Sequence, residues 1–168
     1  MGAIVHEIRQ GLTHLVSRSD VDPTRIGTTG MSFGGITSFY TWLLDDRVAA
    51  AAPICGGVGS MDVFARVGRI GYHGTYWWIP GIVAEGDQAA FASALAPRPL
   101  MLWAPTEDIG MPEEAVDVFV EAVSPAYKRV GAPEAFMVHQ PPGKHTFSLE
   151  AFEAMARFFA RHLGEPIL

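Results

Sequence analysis

Ile26-Gly27-Thr28-Thr29-Gly30-Met31-Ser32-Phe33-Gly34-Gly35-Ile36 is the stretch whose reading decides the fold of this chain. A strand-like run starts at Ile26, residues 30–34 fit the pattern G-x-S-x-G, and residues 36–44 have helix character. Strand, sharp turn and helix are the context in which this pentapeptide holds a nucleophilic serine. The serine backbone at such a turn is strained and the residues two positions away crowd it, so glycine at 30 and 34 relieves the clash. The chemistry implied is acyl transfer. In a chain with 18 glycines the pentapeptide can also arise by chance, and Ser32 could be a plain helix N-cap.

The rest of the chain weighs against chance. A serine of ordinary acidity needs a histidine to take its proton and a carboxylate to orient that histidine. For a serine on this turn the chain order is serine, acid, histidine. Leu100-Met101-Leu102-Trp103-Ala104-Pro105 reads as a buried strand, Thr106-Glu107-Asp108 follows at once, and Pro112 opens a helix. An acid there lies at the carboxyl end of a strand. Ala135-Phe136-Met137-Val138 is a further strand, and the loop Pro141-Pro142-Gly143-Lys144-His145 delivers a histidine before a helix that begins near Ser148. Ser32, an acid at 107 or 108, and His145 therefore stand in the required order.

Several phrases together carry a family resemblance. Val21-Asp22-Pro23-Thr24-Arg25-Ile26-Gly27 enters the turn, Asp46-Arg47-Val48-Ala49-Ala50 follows its helix, and Ala96-Pro97-Arg98-Pro99-Leu100 precedes the acid strand. Gly71-Tyr72-His73-Gly74 runs on into Ile79-Pro80-Gly81. The chain resembles α/β-hydrolases of the dienelactone-hydrolase and acetyl-xylan-esterase-like group, and the resemblance covers nearly its whole length. It implies Ser32 as nucleophile, His145 as base, Asp108 as orienting acid and the backbone N–H of Phe33 as oxyanion donor. A carboxylate with proline four residues later resembles the family pattern and favours Asp108 over Glu107. A complete member has several strands and helices before the nucleophile strand, including the loop with the second oxyanion donor; here only about 25 residues precede it,. The expected fold is a truncated α/β-hydrolase, a doubly wound, mostly parallel sheet of about four strands with flanking helices.

Strands are expected at about 25–31, 48–54, 99–105 and 134–140, and helices at about 3–18, 34–44, 87–95, 112–130 and 148–163, with a break open at Pro125,. Strands alternating with helices imply a parallel sheet with right-handed crossovers. Ligands bind such sheets at the carboxyl ends of the strands. No repeat or linker marks a second domain, so residues 1–168 read as one. A compact chain of this length buries roughly 70% of its unfolded surface.

Residues 56–95 differ in texture. Gly56, Gly57, Gly59, Gly68, Gly71 and Gly74 are mixed there with Tyr72, Tyr76, Trp77 and Trp78, a loop-rich excursion over the active end of the sheet. Trp77 and Trp78 are the candidate substrate-pocket walls, although aromatic residues serve a core equally well. His73 belongs to a family-like phrase but has no chemical role assignable from sequence. His6, His14 and His139 read as structural or exposed. A metal set of His73, His139, His145 and Asp108 lacks any H-E-x-x-H or comparable spacing, so no metal is expected. No glycine-rich cofactor loop is present, since the glycines from 30 to 35 lack the lysine of a phosphate-binding loop, and no cofactor is expected,.

Twelve basic and eighteen acidic residues give a net charge of −6, which disfavours nucleic acid and offers no basic run for a membrane surface,. No apolar run approaches the roughly 18 residues of a membrane span, and the first residues lack a signal-peptide pattern. Cys55 is the single cysteine; it reads as a buried small hydrophobe and points to a reducing, cytoplasmic compartment. Two functions are then open: a serine carboxylesterase acting on short-chain esters, or an inactive truncated hydrolase-fold protein serving binding or assembly. With no earlier strand to cover residues 25–31, a homodimer through the amino-terminal side is expected.

Overall fold

A computed structural model of the chain describes residues 1–68 and 71–165. Its sheet has strands β1 (Ile26–Met31), β2 (Val48–Ile54), β3 (Leu100–Trp103) and β4 (Phe136–His139), all parallel and in the order β1-β2-β3-β4. Helices α1 (Gly2–Val16), α2 (Phe33–Leu44), α3 (Met61–Arg66), α4 (Ile82–Glu85), α5 (Gln88–Ala94), α6 (Glu113–Arg129) and α7 (Leu149–Leu163) flank it, with a 3-10 turn at Pro133–Ala135.

Strand order that rises steadily puts successive right-handed crossovers on one face of a sheet. The core divides accordingly. Ala51, Leu100 and Leu102 pack with Phe39, Phe119, Val123 and Tyr127 of α2 and α6, and with Val5 and Leu12 of α1. Ala50, Ala52, Ile54, Met101 and Trp103 face the other way and meet Ala151, Ala154 and Phe158 of α7. Alternate residues of β2 and β3 thus serve opposite layers, as a strand buried on both faces requires. The alanine run of β2 keeps both helical layers close to the sheet.

β1 is different. Its residues from Ile26 to Gly30 alternate between buried or half-buried and exposed, and among the described residues it pairs only with β2, as β4 at the other edge pairs only with β3. Its outer side borders a cavity of about 630 Å³ shared with Ile8, Leu12 and Leu15 of α1.

Two expectations about elements need correction. α6 runs unbroken through Pro125. A proline removes one backbone bond, and the burial of Phe119, Val123, Ala126 and Tyr127 on both sides of it outweighs that loss. The excursion at 56–95, of which residues 69 and 70 lie outside the described residues, is not only loop. Besides the expected α5 it contains α3 and α4, too short for a periodic pattern to reveal. α3 is fixed by polar groups: the Ser60 side chain accepts the Val63 N–H, and the Asp87 carboxylate accepts both the Ser60 hydroxyl and the Met61 N–H, each at 2.9 Å.

Candidate active site

Ser32 stands between β1 and α2 with φ 58° and ψ −118°. A serine in the left-handed half of backbone space costs on the order of 1–3 kcal/mol and persists only where its surroundings hold it. Here the Ser32 N–H donates to the Ile54 carbonyl at 2.9 Å and the Ser32 carbonyl accepts the Ile36 N–H at 3.1 Å. The glycines do not share the crowding as the sequence implied. A Cβ on Gly30 would lie 2.5 Å from the Gly34 carbonyl carbon, whereas one on Gly34 would meet nothing within 4 Å. The second tight contact is instead Gly35 against Gly56, where a Cβ would come within 2.6 Å of the neighbouring Cα. Backbone packed on backbone at these points leaves the Ser32 side chain exposed at the end of the sheet.

Phe33 is the first residue of α2. Its N–H belongs to the first turn, whose donors have no partner within the helix.

Asp108 and His145 arrive on loops that are zipped together. The Ala104 N–H donates to the His139 carbonyl at 2.8 Å, the Thr106 N–H to Pro141 at 3.0 Å and the Glu107 N–H to Gly143 at 2.9 Å. Parallel pairing of β3 and β4 is thereby continued past the strands. This ladder turns Asp108 inward, with its side chain 0% exposed, and leaves Glu107 at the surface. His145 Nδ1 lies 2.8 Å from Asp108 Oδ2. A carboxylate only accepts, so the shared proton sits on Nδ1 and Nε2 keeps its lone pair. The other carboxylate oxygen, Oδ1, accepts the Gly110 N–H at 2.9 Å.

Ser32, Phe33, His145, His73, Tyr76 and Trp77 are among the residues lining one cavity of about 70 Å³. Trp77 is fully buried and donates its indole N–H to the Gly57 carbonyl at 3.2 Å, so it is core and cavity wall at once. Trp78 is a correction: it does not line this cavity but stands edge-on to Trp77 at 4.5 Å and packs on the core. Tyr76, which the sequence did not single out as a pocket residue, takes that place with its ring 4.8 Å from Phe33.

Cys55 closes the site from below. It follows β2 with φ 48° and lies buried, its thiol 3.8 Å from the Thr146 carbonyl. Burial, reinforced by the charge of Asp108, pushes that thiol up to about 12, so it remains neutral and unreactive,. One ligating atom each from Cys55, Asp108 and His145 fall within 4.8 Å of one another. Within that set His145 Nδ1 and Asp108 Oδ2 are hydrogen-bonded to each other. The other metal set weighed above is not assembled. His139 sits at the end of β4 with its ring 5.3 Å from Trp103, lining a separate cavity with Arg157 and Arg161.

No protein-family model matches the chain. It is 29% identical over 162 residues to a Bacillus subtilis (strain 168) protein, YtaP, which carries a hydrolase name; the match covers 96% of this chain and 54% of that protein. The chain therefore spans about half the length of the curated relative it matches. Among solved structures, a glucuronoyl esterase from Solibacter usitatus superposes with a TM-score of 0.77 at 16% identity, over 95% of this chain and 48% of that one. A Pyrococcus horikoshii acylaminoacyl peptidase superposes with a TM-score of 0.72 at 19% identity, over 98% of this chain and 28% of that one. The fold of this chain is that of the α/β-hydrolases, in part.

Proposed function

We propose that the chain is a serine carboxylesterase that hydrolyses short-chain acyl esters through an acyl-enzyme. The observation that carries this reading is the hydrogen bond from half-buried His145 to buried Asp108, opening onto the cavity that Ser32 also lines. His145 Nε2 takes the hydroxyl proton as Ser32 Oγ bonds to the ester carbonyl carbon. The tetrahedral oxyanion is held by the Phe33 N–H. Collapse expels the alkoxide, which receives the proton from His145, and leaves an acyl-serine. A water then repeats the sequence, giving its proton to His145 and its oxygen to the acyl group, and the returning proton frees Ser32. Asp108 stays ionised throughout and stabilises the imidazolium.

The cavity supports a small acyl group. Its volume of about 70 Å³ is far below the roughly 300–1,000 Å³ of sites for drug-sized ligands. The structural neighbours named above are, by their names, an esterase and a peptidase. Among the described residues no helix is long and apolar enough to cross a membrane, and the lone buried thiol suits a reducing, cytoplasmic setting.

The proposal extends to assembly. The unpaired edge of β1 and the apolar groove it shares with α1 offer a surface for a second copy, which could also lend an oxyanion donor. That open edge also favours the alternative, an inactive hydrolase-fold chain that serves binding. Hydrolysis of p-nitrophenyl acetate by the wild type and by Ser32→Ala separates the two. Turnover lost in the alanine variant supports the enzyme, and equal background in both removes it.

A further inference from the structure

Gly71-Tyr72-His73-Gly74 is the motif that the proposed chemistry leaves unused, and its surroundings give it work. His73 Nε2 lies 2.7 Å from the carbonyl oxygen of Gly110. A carbonyl only accepts, so His73 is the tautomer that carries its proton on Nε2. Gly110 is also the residue whose N–H holds Asp108 Oδ1 at 2.9 Å. The Tyr72 ring covers the remaining side of Gly110: a Cβ there would lie 2.6 Å from Tyr72 Cε1 and 3.2 Å from Asp108 Oδ1. The turn from Asp108 to Met111 is closed by one backbone bond of its own, Met111 N–H to Asp108 carbonyl at 2.9 Å. Of its two central residues, Ile109 is exposed and Gly110 is buried. Outside support at Gly110 therefore comes from Tyr72 and His73.

His73 is itself braced. Its ring stacks on Trp77 at 4.3 Å with 20° between the planes, and Trp77 is tied to Gly57 beyond the end of β2. Burial holds the imidazole below its ordinary pKa, with the bond to Gly110 opposing this in part. The neutral donor form follows.

Resting on the esterase reading above, we infer that His73 is a positioning residue: by fixing Gly110 it fixes the rotation of the Asp108 carboxylate and hence the tautomer and direction of His145. Gly110 directs Oδ1 and His145 directs Oδ2, and the Cys55 thiol also hydrogen-bonds the carboxylate without fixing its pairing to His145. Loss of the first lets the carboxylate turn and the second bond loosen. His73 also lines the cavity, so the excursion that walls the substrate and the acid that orients the base are joined through one ring.

The test uses two variants. His73→Phe keeps a ring on Trp77 but has no donor; His73→Gln keeps an N–H at a similar reach. The phenylalanine variant is expected to lower kcat on p-nitrophenyl acetate by about 100-fold, the order that a misplacement near 1 Å can produce, with KM little changed. The glutamine variant should recover most of it. Long-range ¹H–¹⁵N spectra of the histidine rings supply a readout independent of turnover. His145 should show a proton fixed on Nδ1 in the wild type and in His73→Gln, and a mixture of tautomers in His73→Phe. An unchanged His145 pattern in His73→Phe overturns the inference, whatever happens to kcat or to stability. Failure of the esterase reading looks different: turnover then survives Ser32→Ala, while the tautomer comparison still reports on His73.

Discussion

At the scale of single residues, the choice between Asp108 and Glu107 shows what sequence could and could not reach. Both stand at the carboxyl end of β3, and no local periodicity separates them. The ladder between the two loops does so, burying Asp108 against His145 and turning Glu107 to solvent. Asp108→Asn should preserve the fold yet offer His145 Nδ1 an amide that can present a donor, so the wrong tautomer is favoured. Turnover should fall by up to roughly 10⁴, as in other triads. Glu107→Gln should change kcat less than about threefold, because surface substitutions away from a site act weakly. Steady-state kinetics on both variants checks the pair, and a reversal of the two effects would identify Glu107 as the acid. His73 was illegible for a physical reason: its partner Gly110 is 37 positions away, and a hydrogen bond to a backbone carbonyl leaves no signature in the partner's residue type. Trp78 was misread because two adjacent aromatics look alike in a sequence, and residue type does not tell which of them lines the cavity.

Elements were legible where they are long and patterned. β1, β2 and α7 fall close to their expected bounds because the strand-turn-helix context of G-x-S-x-G, a continuous apolar run and an amphipathic stripe are strong signals. α3 and α4 escaped because a helix of one turn or little more carries no period, and its stability comes from distant groups such as Asp87. Asp45 plays a comparable part at the end of α2. Its nearly buried carboxylate accepts Arg47 from the turn into β2 and Arg9 from α1, at 2.5 and 3.0 Å. The hydrogen bonds from Arg47, with the smaller contribution of Arg9, hold it well below the usual carboxylate range. A depressed carboxylate stabilises the fold above the unfolded-state pKa of about 3.9. That contribution is lost as pH falls through the folded-state value. Asp45→Asn should therefore cost about 1.5–3 kcal/mol near neutral pH, the range for hydrogen bonds to charged groups. Denaturant unfolding at several pH values should show the gap to wild type narrowing below pH ~4. A gap independent of pH would deny Asp45 this role.

The whole molecule is a four-stranded parallel sheet whose outer strands, β1 and β4, each have one edge unpaired among the described residues. Open strand edges are templates for another chain, and the groove beside β1 is lined by Ile8, Leu12 and Leu15 as well as by backbone. Sedimentation at micromolar concentration is expected to show a dimer of the 18.2 kDa chain. A monomer with full esterase activity would remove both the dimer and any need for a donor from a second copy. The parallel sheet was readable because strands alternate with helices, but the strand order and the division of helices between the two faces were not, since they depend on how each crossover lies in space. The central claim is covalent chemistry at Ser32, and it can be observed directly. Rapid quenching of the protein with p-nitrophenyl acetate, digestion and mass spectrometry should find an acetyl group on Ser32 in the wild type, forming in a burst before steady turnover. Steady turnover with Ser32 unmodified, or undiminished turnover by Ser32→Ala, would contradict it.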